Sequence, residues 1–190
     1  MAETNKTMSA SEMNAEWLEI QAAQRNPARF RPLYERYYEP IFRFLYRRTT
    51  DEELSADLCS QVFLKVMQRL NTYEYRGVPF SSWLFRIASN EIAQHFRSQK
   101  KNRSVSLDDI QLGEMAEEME FEDNYWQVED MLKVLDELKP DQLALIELRF
   151  FEQRAFKEIA EILNITESNA KVKTYRILER LKKKLLQKRA

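Results

Sequence analysis

The sequence predicts an all-α protein: two small helical domains joined by a flexible acidic linker. Three observations carry that reading. Only two glycines, Gly77 and Gly113, and five prolines interrupt 190 residues, too few turn formers for a sheet-rich chain. Leu, Glu, Lys, Arg and Ala, all strong helix formers, are abundant. Charge is segregated although the formal net charge is only −1. Ser104 to Asn124 contains no Lys or Arg, while Asp108, Asp109, Glu114, Glu117, Glu118, Glu120, Glu122 and Asp123 accumulate. From Lys171 onward Glu179 is the only acid in a stretch rich in Lys and Arg, and Arg97, Lys100, Lys101 and Arg103 form a second basic knot. Two basic surfaces on either side of an acidic connector follow.

Residues 1–23 read as a polar N-terminal extension. The first domain then covers 24–103. In "FRPLYERYYEPIFRFLYRRT" the clusters Phe30, Leu33, Tyr34, Tyr37, Tyr38 and Ile41, Phe42, Phe44, Leu45 stand on either side of Pro40. Because Pro32 and Pro40 suit first turns better than helix interiors, two short successive helices are expected. Asp51 can cap the next helix, in which Leu54, Leu58, Val62, Phe63, Val66, Met67 and Leu70 recur at helical spacing. "NTYEYRGVP" breaks it, and Phe80, Trp83, Leu84, Ile87 and Ala88 define a further helix. Residues 104–124 are the acidic linker. The second domain, 125–190, starts with a helix carrying Trp126, Val128, Met131, Leu132, Leu135 and Leu138, which ends around Pro140. A second helix carries Leu143, Ile146, Leu148, Phe150 and Phe151. Phe156, Ile159, Ala160 and Leu163 mark a third, and Ala170, Ile177, Leu178, Leu181 and Leu185 a last one.

Several function classes are poorly supported. Cys59 is the lone cysteine, so no intramolecular disulfide forms and a reducing compartment is expected. Its place among Leu58, Val62 and Val66 marks helix core rather than a reactive thiol. The start, "MAETNKTMSASE", lacks a signal pattern, and no apolar run is long enough to span a bilayer, so a cytoplasmic protein without membrane insertion is expected. His95 is the single histidine, which with one cysteine gives no metal set. Without a Gly-rich phosphate loop or a nucleophile beside a base, neither a cofactor nor an enzyme is expected.

Two constellations remain. In "IAEILNITESNAKVKTYRILERLKKKL" Asn164 stands at the turn position of a helix-turn-helix, Ile165 plugs the core, and Thr166 with Asn169 supplies an N-cap. The opposite face carries Ser168, Asn169, Lys171, Val172, Lys173, Tyr175 and Arg176. Arg suits guanine edges, Val or Tyr a thymine methyl, and Lys phosphates. The bland alternative is a solvated amphipathic helix. In "YEYRGVPFSSWLFRIASNEIAQHFRSQKK" aromatic residues lie among cations, the ingredients of single-strand binding by stacking and phosphate contact. Phe80, Leu84 and Ile87 are assigned to core, and Asn90, Gln94 and Arg97 to the outside.

Taken together and in order, these segments resemble the sigma-70 family of RNA polymerase sigma factors, in its extracytoplasmic-function (ECF) group. "FRPLYERYYEPIFRFLYRRT" resembles region 2.1, "SADLCSQVFLKVMQRL" region 2.2, "FSSWLFRIASNEIAQHFRSQKK" regions 2.3 and 2.4, and "RAFKEIAEILNITESNAKVKTYRILERLKKKL" region 4.2. The resemblance implies a region 2 bundle that binds core RNA polymerase through Asp57, Ser60 and Gln61. It implies that Tyr75, Arg76, Asn90, Gln94, Arg97, Lys100 and Lys101 engage the melted −10 element, with loop 73–79 as the pocket for a flipped base. Region 4 would read the −35 duplex through the face named above, and an anti-sigma factor is typical of the group. The family more usually has Gln-Glu at positions 60 and 61. Ser89 and Gln94 replace a frequent Arg and Asp, and Val172 a frequent small polar residue. The residues themselves leave open a stand-alone helix-turn-helix regulator with a helical sensor domain and, remotely, a DNA-acting enzyme such as a recombinase.

Overall fold

The computed structural model describes residues 8–99, 109–120 and 128–187. The chain divides into two compact units: among the described residues, 8–99 with 161–163 make the first, and 109–120, 128–160 and 164–187 the second. No described helix is long and apolar enough to cross a membrane.

The first unit starts with a helix where a polar extension is expected. α1, Ala10–Arg25, is opened by a capping box: the Glu12 amide donates to Ser9 Oγ at 3.3 Å and the Ser9 amide to Glu12 Oε2 at 2.7 Å. Its inward face combines the apolar Ile20 and Ala23 with the carboxylate of Glu16, which is 3% exposed. Apolar periodicity alone could not find a helix whose buried stripe includes an acid.

α2, Arg31–Thr49, runs unbroken through Pro40, against the expectation of two short helices. Proline removes one intrahelical hydrogen bond. The helix continues because Leu33 and Tyr37 before it, and Ile41, Phe44 and Leu45 after it, all enter the same core. It ends at Thr50, in the left-handed region at φ 52°, whose amide donates to Tyr46 O. α3, Glu52–Arg69, begins as expected at Asp51, whose Oδ1 accepts from the Leu54 amide at 3.0 Å. Leu58, Cys59, Val62, Phe63 and Val66 are buried, but Met67, expected with them, is 37% exposed. Burial pushes the Cys59 thiol up to about 12, with the Glu39 carboxylate adding to the shift. It stays protonated at neutral pH and is no nucleophile. α4, Phe80–Gln99, sets Phe80, Leu84, Phe85, Ile87 and Ala88 into the core, where the Phe44 and Phe85 rings meet edge to face at 4.9 Å.

The second unit also departs from composition. Within the expected acidic linker lies α5, Asp109–Glu118, and Leu112, Met115, Ala116 and Met119 are all buried. Their spacing is one helical face, hidden from a composition-based reading by the acids between them. α6 covers Val128–Asp136, buries Met131, Val134 and Leu135, and leads to Pro140 at the first turn of α7, Pro140–Ile146. Trp126, assigned to α6 from sequence, lies outside the described residues. The helix expected to continue through Phe151 widens instead into a π-helical turn, Glu147–Phe151. Leu148, Phe150 and Phe151 are all buried in that turn. α8, Phe156–Leu163, and α9, Glu167–Gln187, close the unit.

Candidate nucleic-acid interface

The junction of α8 and α9 has the turn and the cap that its sequence predicts. Asn164 adopts the left-handed conformation at φ 54°, ψ 49°, and its amide donates to Ala160 O. The next amide, Ile165, donates to the same carbonyl at 3.0 Å, so the chain turns without orphaned donors. Ile165, expected to plug the core, is only half-buried, and Thr166 Oγ1 accepts from the Asn169 amide at 3.2 Å, capping α9. Ala170, Thr174, Ile177, Leu178, Leu181 and Leu185 hold α9 to the unit. The remaining face is therefore forced outward: Ser168, Asn169, Lys171, Val172, Lys173, Tyr175 and Arg176 are all exposed. Val172 is 48% exposed and Tyr175 40%. Lys173, Arg176 and Arg180 line a groove against Asp141 and Gln142 of α7.

The acidic helix reaches this face, a contact that local sequence could not reveal. The Tyr175 hydroxyl donates to Glu118 Oε1 at 3.0 Å, and that hydrogen bond, ahead of partial burial, raises the phenol's pKa. Gln153 Nε2 donates to both Glu114 oxygens at 3.1 and 3.2 Å, fixing α5 further along. The Phe156 ring lies 6.3 Å from Tyr175.

In the first unit, Trp83, Arg86, Asn90, Gln94 and Arg97 fall along one stripe of α4. Asn90, Gln94 and Arg97 are exposed, and Trp83 and Arg86 half-buried. The core holds the opposite side, and the ion pair of Lys65 with the buried Glu91, 2.5 Å apart, pins α4 to α3 directly behind Asn90. Arg97 Nε donates back to Ala93 O at 3.2 Å. Ser89 does not join the stripe: its hydroxyl is buried and, among the described residues, has no hydrogen-bond partner. Lys100 and Lys101 lie outside the described residues. Beside the stripe, loop 73–79 turns at Gly77, where φ is 70°. Tyr75 is half-buried and Arg76 exposed. Arg69, Arg76, Trp83, Arg86 and Asn90 are among the residues that line a groove here. Arg69 and Arg86 add cations to the set chosen from sequence; both follow from helical spacing once the core face of each helix is known.

On α3, Asp57, Ser60 and Gln61 are exposed on one face. Leu64, 59% exposed, and Met67 extend it by further turns. The structure thus adds an apolar end to a patch read from sequence as polar.

Comparison with known proteins bears on these surfaces together. Residues 33–102 match the model for Sigma-70 region 2 and residues 129–181 that for Sigma-70, region 4. The ECF RNA polymerase sigma factor BldN of Streptomyces coelicolor is 30% identical over 159 residues, spanning 80% of this chain and 58% of BldN. The ECF RNA polymerase sigma factor SigM of Bacillus subtilis is 26% identical over 151 residues, spanning 79% of this chain and 91% of SigM. Among solved structures, the sigma factor RpoE of Bartonella quintana, in complex with the anti-sigma factor NepR, matches with a TM-score of 0.58 at 19% identity. The match spans 83% of this chain and 96% of that one. At that identity the likeness is one of fold.

Proposed function

The chain belongs to the sigma-70 family, in its ECF group, and from that membership we propose that it is a dissociable, non-enzymatic initiation subunit that directs bacterial core RNA polymerase to promoters. In this reading α9 reads the −35 element as duplex, α4 and loop 73–79 hold the melted −10 strand, and the α3 face with Asp57, Ser60, Gln61 and Leu64 docks on the polymerase. It works in the cytoplasm. An anti-sigma factor is the expected regulator, a class of partner that RpoE carries in its complex.

The observation that supports this reading best is the pairing, in one chain, of two outward DNA-suited faces on separately folded units. One is suited to duplex and the other to single strand. Either alone would bind weakly; held together on polymerase, the second contact becomes intramolecular and gains effective concentration. Purified protein should co-elute with core polymerase and start transcription at defined promoters, which mapping of transcript 5′ ends after induced expression would identify. If it binds an operator tightly without polymerase and never supports transcription by core, the stand-alone regulator is the better account.

Two substitutions test the assignments. Asn90→Ala should leave co-elution with core unchanged and lower promoter opening about tenfold, the worth of one or two hydrogen bonds to bases. Opening equal to wild type would remove Asn90 from the reading set. Glu118→Ala tests the contact on Tyr175. That hydroxyl cannot serve a base while it serves Glu118, and a carboxylate beside a DNA face repels phosphate. Removing it should raise duplex affinity of the free protein by roughly two- to fivefold, as surface charge contacts are worth under about 1 kcal/mol. Fluorescence anisotropy with a −35 duplex measures this; no gain would mean that α5 leaves the face at no cost.

A further inference from the structure

The loop assigned to the flipped base is held from outside the segment that the region 2 model matches, which begins at residue 33. Met13, Trp17, Ile20 and Gln24 share one face of α1. Gln24 Nε2 donates to Leu70 O at 2.8 Å and Tyr73 O at 2.9 Å, clamping the chain where it enters the loop. The Trp17 ring meets Tyr73 edge to face at 6.1 Å and stacks on Tyr75 at 6.2 Å. Tyr75 Oη donates to Met13 Sδ at 3.6 Å. Where the loop leaves, Glu16 Oε2 accepts from the Phe80 amide at 2.9 Å, at the first turn of α4. One helix therefore fixes the entry, the middle and the exit of residues 73–79.

We propose that α1 is a positioning element for −10 strand capture, with Trp17 and Gln24 as the residues that hold loop 73–79 in its receiving conformation. The inference rests on reading that loop as the pocket for an unpaired base. Its physical basis is preorganisation. Freezing a loop costs about 1–2 kcal/mol per residue. A loop already ordered by the fold does not impose that cost when DNA arrives. Nothing on α1 need touch DNA for this to hold. Trp17 orients Tyr75 from behind, and Gln24 sets the backbone from which Tyr75 and Arg76 project.

The test uses the full chain with core polymerase on a promoter mapped for it, and scores opening by permanganate reactivity of −10 thymines. It also measures holoenzyme binding to a single-stranded −10 oligonucleotide. Gln24→Ala, which loses two hydrogen bonds, and Trp17→Ala, which loses two aromatic contacts, should each lower both readouts about tenfold. Core co-elution and −35 duplex binding should stay unchanged. Trp17→Phe, which keeps the stacking, should recover most of the activity, and Leu18→Ala, on the exposed face of the same helix, should behave as wild type. Opening equal to wild type in both alanine variants would overturn the inference. So would a loss that merely follows a fall in core binding or unfolding midpoint, or one that Trp17→Phe fails to recover. If the wild-type holoenzyme opens promoters but does not bind the −10 single strand, the reading of the loop itself fails, and this inference with it.

Discussion

Glu16→Ala should lower the unfolding free energy of the first unit by about 2–4 kcal/mol, read as a shift of the urea midpoint followed by tryptophan fluorescence. The carboxylate is 3% exposed and accepts from the Tyr37 hydroxyl and the Phe80 amide, with Arg36 Nη1 at 3.7 Å. Alanine leaves a buried phenol without its acceptor, at about 1–3 kcal/mol. It also strips a side-chain acceptor from the start of α4, worth about 0.5–2 kcal/mol on the scale of lost N-caps. The phenol's dependence on its surroundings is visible in its acidity: burial, then the Glu16 charge and hydrogen bond, raise the Tyr37 pKa well above the ordinary tyrosine value. Glu16→Gln separates the two contributions. An amide still offers one carbonyl oxygen, so it should retain one of the two bonds and lie between wild type and alanine. A loss below about 1 kcal/mol in Glu16→Ala would mean that the cost of burying the carboxylate had cancelled its bonds, as occurs for many buried charges.

The same residue shows why part of this fold was illegible in sequence. Helices whose buried face is dominated by apolar residues at regular spacing, such as α3 and α4, announced themselves, although Ser55, Ser82 and Glu91 are buried among them. α1 did not, because two of its inward residues are Glu16 and Gln24, whose partners are Tyr37, Phe80, Leu70 and Tyr73. A polar residue reads as solvated until its partner is known, and these partners lie far along the chain. α5 was obscured in the opposite way: its apolar stripe is regular, but acids surround it and composition suggested a connector. Pro40 misled because the cost of a missing hydrogen bond is local, whereas the packing that outweighs it involves residues on both sides.

The candidate surfaces were more legible than the scaffold. Asn164 and Thr166 act through their own backbone neighbourhood, so their conformations could be anticipated from residue type. Exposure of Asn90, Gln94 and Arg97 followed from the opposite face being core. What escaped were meetings between distant residues: Tyr175 with Glu118, and Trp17 with Tyr75. Periodicity places a side chain on a face, but it does not say what that face meets.

Arg176→Ala should cost about 1–3 kcal/mol of −35 discrimination, or roughly tenfold to a hundredfold between the preferred element and one changed at the contacted base pair. Arg176 is the residue of α9 that we propose makes the base contact. Arg180, one turn on, is engaged with Gln142 Oε1 at 2.7 Å, and Lys184 with Glu137. Arg176 is exposed between Lys173 and Arg180 in the groove facing α7. A guanidinium can donate two parallel hydrogen bonds to guanine, and that geometry is lost with lysine as well as with alanine. Arg176→Lys should therefore keep most of the general affinity and lose the discrimination. Transcription from a panel of −35 variants by reconstituted holoenzyme measures this. If alanine weakens every sequence alike and flattens the salt dependence of binding, Arg176 holds phosphate. Discrimination would then fall to Val172 and Tyr175, whose exposed apolar surface suits a thymine methyl. Val172→Thr, which keeps one methyl and adds a hydroxyl, would be the substitution to shift the preferred base.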